Sequence, residues 1–374
     1  MSKLTQRILL LIYLVINILF IEKYATRVTE YHLGISLVYL LAIICSLEFF
    51  SKRIAKSAHA TIWTLGLGFL LLIIGICIQY HISPYSIQVD RWSAIHNFLA
   101  AMQQGDYPYG ASTHLGGYGS PFPVWQIFHL PFYHLGNVGL SIFVVTIAFI
   151  ATIHRFHSNK AALLSILLLG MSPAYWYEVA VRSDLITNML LVATITEWLL
   201  NKRAKLSHHT FFIGLLTGLL LSTRLIAVIP LCMMYGYEFL HLEWKKKAIF
   251  VLTVIVTFVL TFLPFIFWKG STLFFFEYNP FVLQTRQGSW MVLLIFAVIA
   301  IVVTLCIKGN NKHLPAAIGV LLTMLVGLAF VEKMWLQNLW GGLFTSTFDI
   351  TYLSTALPFY IIYLSRSILS HRQL

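Results

Sequence analysis

Long apolar runs dominate the pattern of this chain, and short polar or basic connections separate them. The runs at 9–21, 61–80 and 248–268 approach the roughly 20 residues that an α-helix needs to cross a hydrocarbon core about 30 Å thick. Because backbone groups in lipid must hydrogen-bond within the protein, we expect these runs to be helices. The pattern predicts an all-α fold, a polytopic bundle of transmembrane helices.

The apolar runs place about twelve spans along the chain. We predict spans at 8–22, 33–50, 61–80, 137–154, 161–176, 183–200, 209–222, 225–240, 248–268, 289–307, 314–331 and 349–365. The first is expected to be a retained anchor, because Glu22 and Lys23 follow it where a signal peptide would have small residues. Starting with Lys3 and Arg7, every second connection is basic, so the positive-inside rule places both termini in the cytoplasm.

Composition and charge support the same class of protein. Hydrophobic residues make up 59% and charged residues 10%, against about half and about a quarter in soluble domains. The net charge of +12 comes mainly from the basic connections, so it reflects topology and no nucleic-acid partner is expected. Acidic residues concentrate on the other side, at Asp90, Asp106, Glu178, Asp184, Glu277, Glu332 and Asp349. Polar chemistry is therefore expected at the extracytoplasmic end.

The longest connection, residues 81–136, is expected to fold on the membrane surface. Its first half repeats apolar side chains at helical spacing, at Val89, Trp92, Ile95 or His96, Leu99 and Met102. This spacing predicts an amphipathic helix in the interface, ended by Gly105. One crossing, at 137–154, suffices to reach the next basic connection. The apolar segment 121–135 is therefore predicted to be a second interfacial or re-entrant helix.

Several short motifs follow one another on the extracytoplasmic side. They are Asp90 and Arg91 after a span, 105–109 (GDYPY), 118–124 (YGSPFPV), 131–136 (PFYHLG), 181–184 (VRSD), 214–224 (GLLTGLLLSTR), 278–281 (YNPF), and Asp349 before Pro358. In this order the motifs resemble the polyprenyl-phosphate-sugar-dependent glycosyltransferases of the GT-C fold, especially the bacterial mannosyltransferase-like group. The resemblance covers roughly residues 61–365. It divides the chain into two additional N-terminal transmembrane helices at 1–60 and a GT-C-like core at 61–374.

The resemblance implies a membrane glycosyltransferase. Such an enzyme moves a sugar, a hexose such as mannose, from a polyprenyl phosphate to an extracytoplasmic glycan, lipid or protein acceptor. Inversion by one displacement is implied, with an acidic residue of the first outer loop of the core as base, and Asp90 stands there. The lipid-linked donor is a co-substrate, and neither a metal nor another cofactor is expected. The chain departs from some eukaryotic relatives in having one Asp where they have a paired acidic motif.

A multi-pass protein of the bacterial inner membrane, with an extracytoplasmic or periplasmic active site, is the expected location. The absence of an Asn-X-Ser/Thr sequon and the short loops agree with this expectation. The expected partners are the polyprenyl-phosphate sugar, a glycan or lipid acceptor of the cell envelope, and the surrounding membrane lipids.

Glycosyl transfer needs a base near the acceptor hydroxyl and a cation beside the departing phosphate. Asp90 is the candidate base and Asp184 the second choice. The alternatives are a helix N-terminal carboxylate for Asp90 and an ion pair with Arg182 or Arg224 for Asp184. The candidate substrate-binding residues are Arg91, Tyr107, Tyr109, Tyr118, Arg182, Asp184, Arg224, Lys269 and Arg286.

These candidates divide by chemistry. The cations would hold the lipid phosphate, and the tyrosines would stack on sugar faces. The alternatives are a snorkelling side chain for Arg224 and an interfacial aromatic belt for the tyrosines.

The main alternative function is a polytopic transporter or a lipid-linked glycan flippase or polymerase, because about twelve spans with both termini inside is a common transporter layout. The second half of the chain does not repeat the first, and the charged residues gather at the ends of the spans. Both features favour a surface-facing enzyme.

Overall fold

The chain folds into a bundle of α-helices. The computed structural model describes residues 3–27, 29–285, 288–308, 312–337 and 348–372, and these residues include no β-strand. The helices are α1 Lys3–Ala25, α2 His32–Lys56, α3 Ala60–His81, α4 Arg91–Gln104, α5 Pro123–Phe128, α6 Leu130–His134, α7 Ser141–Phe156, α8 Asn159–Gly170, α9 Pro173–Ala180, α10 Leu185–Asn201, α11 Thr210–Leu221, α12 Val228–Leu240, α13 Trp244–Ile266, α14 Leu273–Glu277, α15 Pro280–Thr285, α16 Trp290–Ile307, α17 Leu314–Gln337 and α18 Leu357–Arg372. A 3₁₀ helix, Ile350–Ala356, precedes α18.

Long apolar helices make this an integral membrane protein. Within the described residues, seven helices are long and apolar enough to cross a membrane: α1, α2, α3, Val138–Phe156, α13, α16 and Leu314–Leu336. The helices α8 and α9 pass the same test together, although they are bent by 66°. Counting that pair as one span gives eight. The helices α10, α11 and α12 are apolar but shorter, so the count of twelve spans stays a prediction.

The bend between α8 and α9 divides the run predicted as one span at 161–176. The Ser172 hydroxyl caps α9 by accepting from the backbone N–H of Tyr175, and Pro173 occupies the first turn, where no N–H is needed. Asn17 of α1 holds the bend from outside. Its Oδ1 accepts from Ser172 Oγ at 2.6 Å and from the backbone N–H of Ala174 at 3.2 Å. The break is therefore built by specific capping groups.

The first helix belongs to the main core of the protein. Tyr13 is fully buried in α1, and its hydroxyl donates to the carbonyl oxygen of Leu168 at 2.6 Å. Phe20 and Tyr24 pack on Tyr177 of α9, with the two tyrosine rings stacked at 3.8 Å between centroids. The helix α1 also packs against α18 and the 3₁₀ helix before it. The N-terminal segment therefore helps to build the bundle around the site described below.

Residues 82–137 form a layer over one end of the bundle, here called the loop end. Its main helix is α4, which ends at Gly105 in the left-handed region, φ 79°. The predicted apolar stripe is packed inward, with Trp92, Ile95 and Leu99 buried. The segment predicted as one helix at 121–135 forms α5 and α6 instead. Pro131 has no N–H with which to continue the ladder of α5.

Candidate functional site

A buried ion pair joins two turns at the loop end. Arg224, in extended backbone between α11 and α12, donates from Nε and Nη2 to Asp184 Oδ2 at 2.8 and 2.5 Å. The Trp125 indole N–H donates to the same oxygen at 2.8 Å. The side chains of Arg224 and Asp184 are only 5% and 2% exposed. The buried carboxylate of Asp184 is therefore paired with the guanidinium of Arg224.

The same turns are fixed to the overlying layer through backbone contacts. The backbone N–H groups of Phe122 and Val124 donate to the carbonyl oxygens of Thr223 and Ser222, each at 3.1 Å. These bonds bring the start of α5 against the α11–α12 turn. Of the two partners considered for Asp184, the structure brings Arg224 to it.

Arg91 lies at the centre of a second charged cluster. Its Nη2 donates to Asp349 Oδ2 at 2.5 Å and to Thr351 Oγ1 at 2.6 Å, and its Nη1 donates to Ser183 Oγ at 2.9 Å. Glu178 Oε1, fully buried in α9, is 3.8 Å from Nη1. Arg91 thus ties α4 to α9 and to the segment preceding α18. Its guanidinium therefore already has carboxylate partners in this structure.

Lys23 of α1 adds a third element to this cluster. It is buried, and its ammonium group donates to the carbonyl oxygen of Phe348, the neighbour of Asp349. The Asp349 carboxylate is therefore held by the guanidinium of Arg91 and by Thr351, with the Lys23 ammonium group beside the neighbouring carbonyl. Lys23 and Asp349 were not among the predicted site residues, although both stood at predicted outer helix ends.

Asp90 has a different environment from the paired acids. It is the N-cap residue of α4, but its side chain makes no capping hydrogen bond. Its Oδ2 accepts from the Thr113 hydroxyl at 2.9 Å, and among the described residues no cation lies within salt-bridge distance of it. A Cβ on Gly117 would stand 3.0 Å from that oxygen, so the loop passes close to the carboxylate. Asp90 is thus a half-buried carboxylate that is not neutralised by a partner.

The predicted tyrosines separate by exposure. Tyr118 is 43% exposed, and its ring packs on Tyr278 with 5.0 Å between centroids. Tyr107 is buried against Phe274, with 5.3 Å between centroids. Tyr109 is fully buried, and its hydroxyl donates to the carbonyl oxygen of Pro121 at 3.2 Å. The ring of Tyr109 is therefore enclosed in the core beside Phe98 and Phe265, and its stacking on a sugar stays a prediction.

A cavity of about 270 Å³ opens beside the two charged clusters, between α12, α16 and α17. Its polar lining comes from Arg224, Gln284, Asp349 and Tyr352, and the apolar lining includes Leu293, Phe296, Leu325, Val326 and Ala329. Polar groups therefore gather at the loop end of a mainly apolar cavity. Mostly apolar walls with a few placed polar groups are the usual form of a ligand-binding site.

Gln284 links the cavity to the loop that holds Asp90. Its Oε1 accepts from the backbone N–H of Leu225 at 3.0 Å, and its Nε2 donates to the carbonyl oxygen of Ser120 at 2.7 Å. Residues 113–120 therefore run from the carboxylate of Asp90 to the polar end of the cavity. No sequence pattern singled out Gln284.

The remaining predicted cations lie elsewhere. Arg182, with φ 50°, donates to the carbonyl oxygens of Gln79 and Ile82 and so anchors the end of α3. Lys269 is exposed in the turn after α13 and makes no polar contact with the cavity residues. Arg286 lies outside the described residues. The structure therefore brings Arg91 and Arg224, but neither Arg182 nor Lys269, to the clusters beside the cavity.

His129 packs beside the ion pair without adding charge to it. Burial lowers its pKa to about 4, and its ring contacts the carbonyl oxygen of Trp125 at 2.8 Å and Ser141 Oγ at 3.0 Å. Throughout the described part of the chain, no group of three or more His, Cys, Asp or Glu side chains is placed to hold a metal ion. The arrangement offers a carboxylate without an ion-pair partner among the described residues, an oriented arginine and a mainly apolar cavity. No protein-family model, curated protein or solved structure matches this chain.

Proposed function

We propose that this protein is a membrane glycosyltransferase. It would transfer a sugar, a hexose such as mannose, from a polyprenyl-phosphate donor to an acceptor outside the cytoplasm of a bacterial cell, in a GT-C-like bundle. The observation that carries this proposal is the mainly apolar cavity whose polar end is formed by Arg224, Gln284, Tyr352 and Asp349, the last of which is paired with Arg91. A polyprenyl phosphate has the same division, since a long hydrocarbon chain ends in one anionic group.

The cavity supports donor binding in two ways. Its walls at Phe296, Val326 and Ala329 would remove isoprenoid surface from water, and the guanidinium of Arg224 would stabilise the phosphate. Asp184 accepts hydrogen bonds from Nε and Nη2 of Arg224. No described residue accepts a hydrogen bond from Nη1 of Arg224. The ion pair thus orients Arg224 while leaving one edge of the guanidinium for the ligand.

Asp90 would act as the general base of an inverting displacement. The acceptor hydroxyl oxygen forms a bond to the anomeric carbon while the bond from that carbon to the phosphate oxygen breaks. The hydroxyl proton passes to Asp90, and the electron pair leaves with the polyprenyl phosphate, whose added charge Arg224 would stabilise. Asp90 suits this role because, unlike Asp184 and Asp349, it forms no ion pair with a described residue.

Tyr118 and Tyr278 would form the acceptor side of the site. Tyr118 follows Gly117, which passes close to the Asp90 carboxylate, and it keeps 43% of its surface exposed. An exposed aromatic ring beside the base offers a stacking face for a sugar ring. We therefore favour an acceptor that presents a sugar, rather than a bare protein hydroxyl, to Asp90.

Filling the cavity should weaken donor binding. Ala329 is 7% exposed and lines the cavity, so Ala329→Trp places an indole in the space assigned to the isoprenoid. We expect the affinity for a short-chain polyprenyl phosphate, measured by calorimetry in detergent, to fall about tenfold to a hundredfold. Val331→Trp is the matched control, because Val331 lies on the same helix but is 55% exposed.

The control should bind the lipid as the wild-type protein does. If Ala329→Trp and the wild-type protein bind the donor with equal affinity, the donor does not bind in this cavity. Ala329→Leu serves the same comparison if the larger side chain prevents folding, with a smaller loss of affinity expected.

A further inference from the structure

A second cavity, of about 350 Å³, lies at the end of the bundle opposite the proposed active site. The helices α10, α12 and α16 all start at the loop end, after Asp184, Arg224 and Ser289, and therefore finish together at the other end. The second cavity opens where these three helices end. Neither the resemblance nor the proposed transfer reaction gives it a role.

Three cations line this cavity against a single acid. Arg203 and Lys205 follow α10, Lys308 follows α16, and Glu238 is the acid. Glu238 Oε1 already accepts from the backbone N–H of Ser207 at 3.1 Å. Within the described residues, none of the three cations forms a salt bridge. The cavity therefore carries an excess of positive charge that no described side chain neutralises.

The cations lie beside apolar and aromatic walls. Lys308 Nζ is 6.0 Å from the centroid of the Tyr237 ring, which also lines the cavity. Leu200, which is half-buried, supplies further apolar surface next to the charges. The lining thus combines an anion-binding rim with a surface that can receive hydrocarbon.

We propose that this cavity binds a phosphate-bearing anion, and that the anion is the headgroup of an anionic phospholipid. Basic pockets between transmembrane helices at a membrane surface recognise such headgroups, with each cation near the surface contributing to the attraction. The apolar walls favour the lipid over a free phosphate, because they would receive the first methylenes of its chains. This assignment is independent of the proposed transfer reaction.

Lipid binding to the purified full-length chain tests the assignment. Native mass spectrometry in detergent would compare phosphatidylglycerol, which is anionic, with phosphatidylcholine, which is zwitterionic. The wild-type protein should bind phosphatidylglycerol at least about tenfold more tightly, and the triple variant R203A/K205A/K308A should lose on the order of a hundredfold of that affinity. Binding of phosphatidylcholine should hardly change.

The matched control is the triple variant K245A/K246A/K247A. It removes the same charge from the start of α13, at the same end of the bundle, without touching the cavity. The control should keep its preference for phosphatidylglycerol. Equal losses in both triple variants, or no preference in the wild type, would overturn the proposal. If R203A/K205A/K308A does not fold, Lys308→Ala alone should lose about fivefold.

Inorganic phosphate distinguishes the two sources of the anion. We expect millimolar phosphate to leave phosphatidylglycerol bound, because phosphate lacks the chains that would contact Leu200 and Tyr237. Displacement of the lipid by inorganic phosphate alone would overturn the phospholipid assignment and make the site one for a soluble phosphate compound.

Discussion

Asp90→Asn is expected to lower the rate of sugar transfer by about 100-fold to 10,000-fold, the usual contribution of a general base. The amide cannot accept the acceptor proton, but its oxygen can still accept the hydrogen bond from Thr113. The loop around Gly117 should therefore keep its structure. Initial rates of transfer and donor affinity, measured separately, would show a large loss of rate with little change in binding.

Asp106→Asn is the matched control for this substitution. Asp106 is exposed just after α4, in the same layer of the protein, so its substitution changes the charge equally without touching the loop around Asp90. The control should transfer sugar at nearly the wild-type rate. If Asp90→Asn transfers sugar at the wild-type rate, Asp90 is not the general base.

Arg224→Met is expected to cost about 3–5 kcal/mol of unfolding free energy, because it leaves the buried carboxylate of Asp184 without its cation. The double variant R224M/D184N should recover much of that loss. The amide that replaces the carboxylate in the double variant would carry no charge, and its oxygen would still accept from the Trp125 indole N–H. Denaturant unfolding in detergent micelles would give the free energy of unfolding of the wild-type protein, Arg224→Met and the double variant.

Lys269→Met is the control for Arg224→Met, because it removes a cation that has no buried partner. Lys269 is exposed, so its substitution should leave the free energy of unfolding nearly unchanged. If Arg224→Met is no more destabilising than Lys269→Met, or if the double variant is less stable than Arg224→Met, the ion pair has no structural role.

The positions of the helices follow closely from the apolar pattern, but the breaks within them do not. A run such as 161–176 stays hydrophobic across Ser172 and Pro173, so hydropathy alone joins α8 and α9. The capping groups decide the break, and Asn17, one of them, comes from a helix far away in the sequence. Pro131 likewise divides a segment whose composition is mainly apolar.

The end of the bundle that holds the two charged clusters is also predictable from the sequence, because the acidic residues gather on one side. The pairing of individual charges cannot be predicted from the sequence. Arg91 and Asp349 are separated by 258 residues, and only the packing of α4 on the segment before α18 brings them together. Exposure is equally a tertiary property. Tyr109 and Tyr118 lie in similar motifs, yet only Tyr118 keeps an exposed ring.

Transfer of radiolabelled sugar by the purified wild-type protein decides whether the chain is a polyprenyl-phosphate-sugar-dependent glycosyltransferase. The donors would be a panel of polyprenyl-phosphate hexoses and, in parallel, the corresponding nucleotide sugars, each with a membrane glycan extract as acceptor. We predict transfer from at least one polyprenyl-phosphate sugar and none from the nucleotide sugars. Transfer from a nucleotide sugar would contradict the proposed use of a polyprenyl-phosphate donor. No transfer from any donor by a folded protein would contradict the proposed enzyme activity and would favour a transporter.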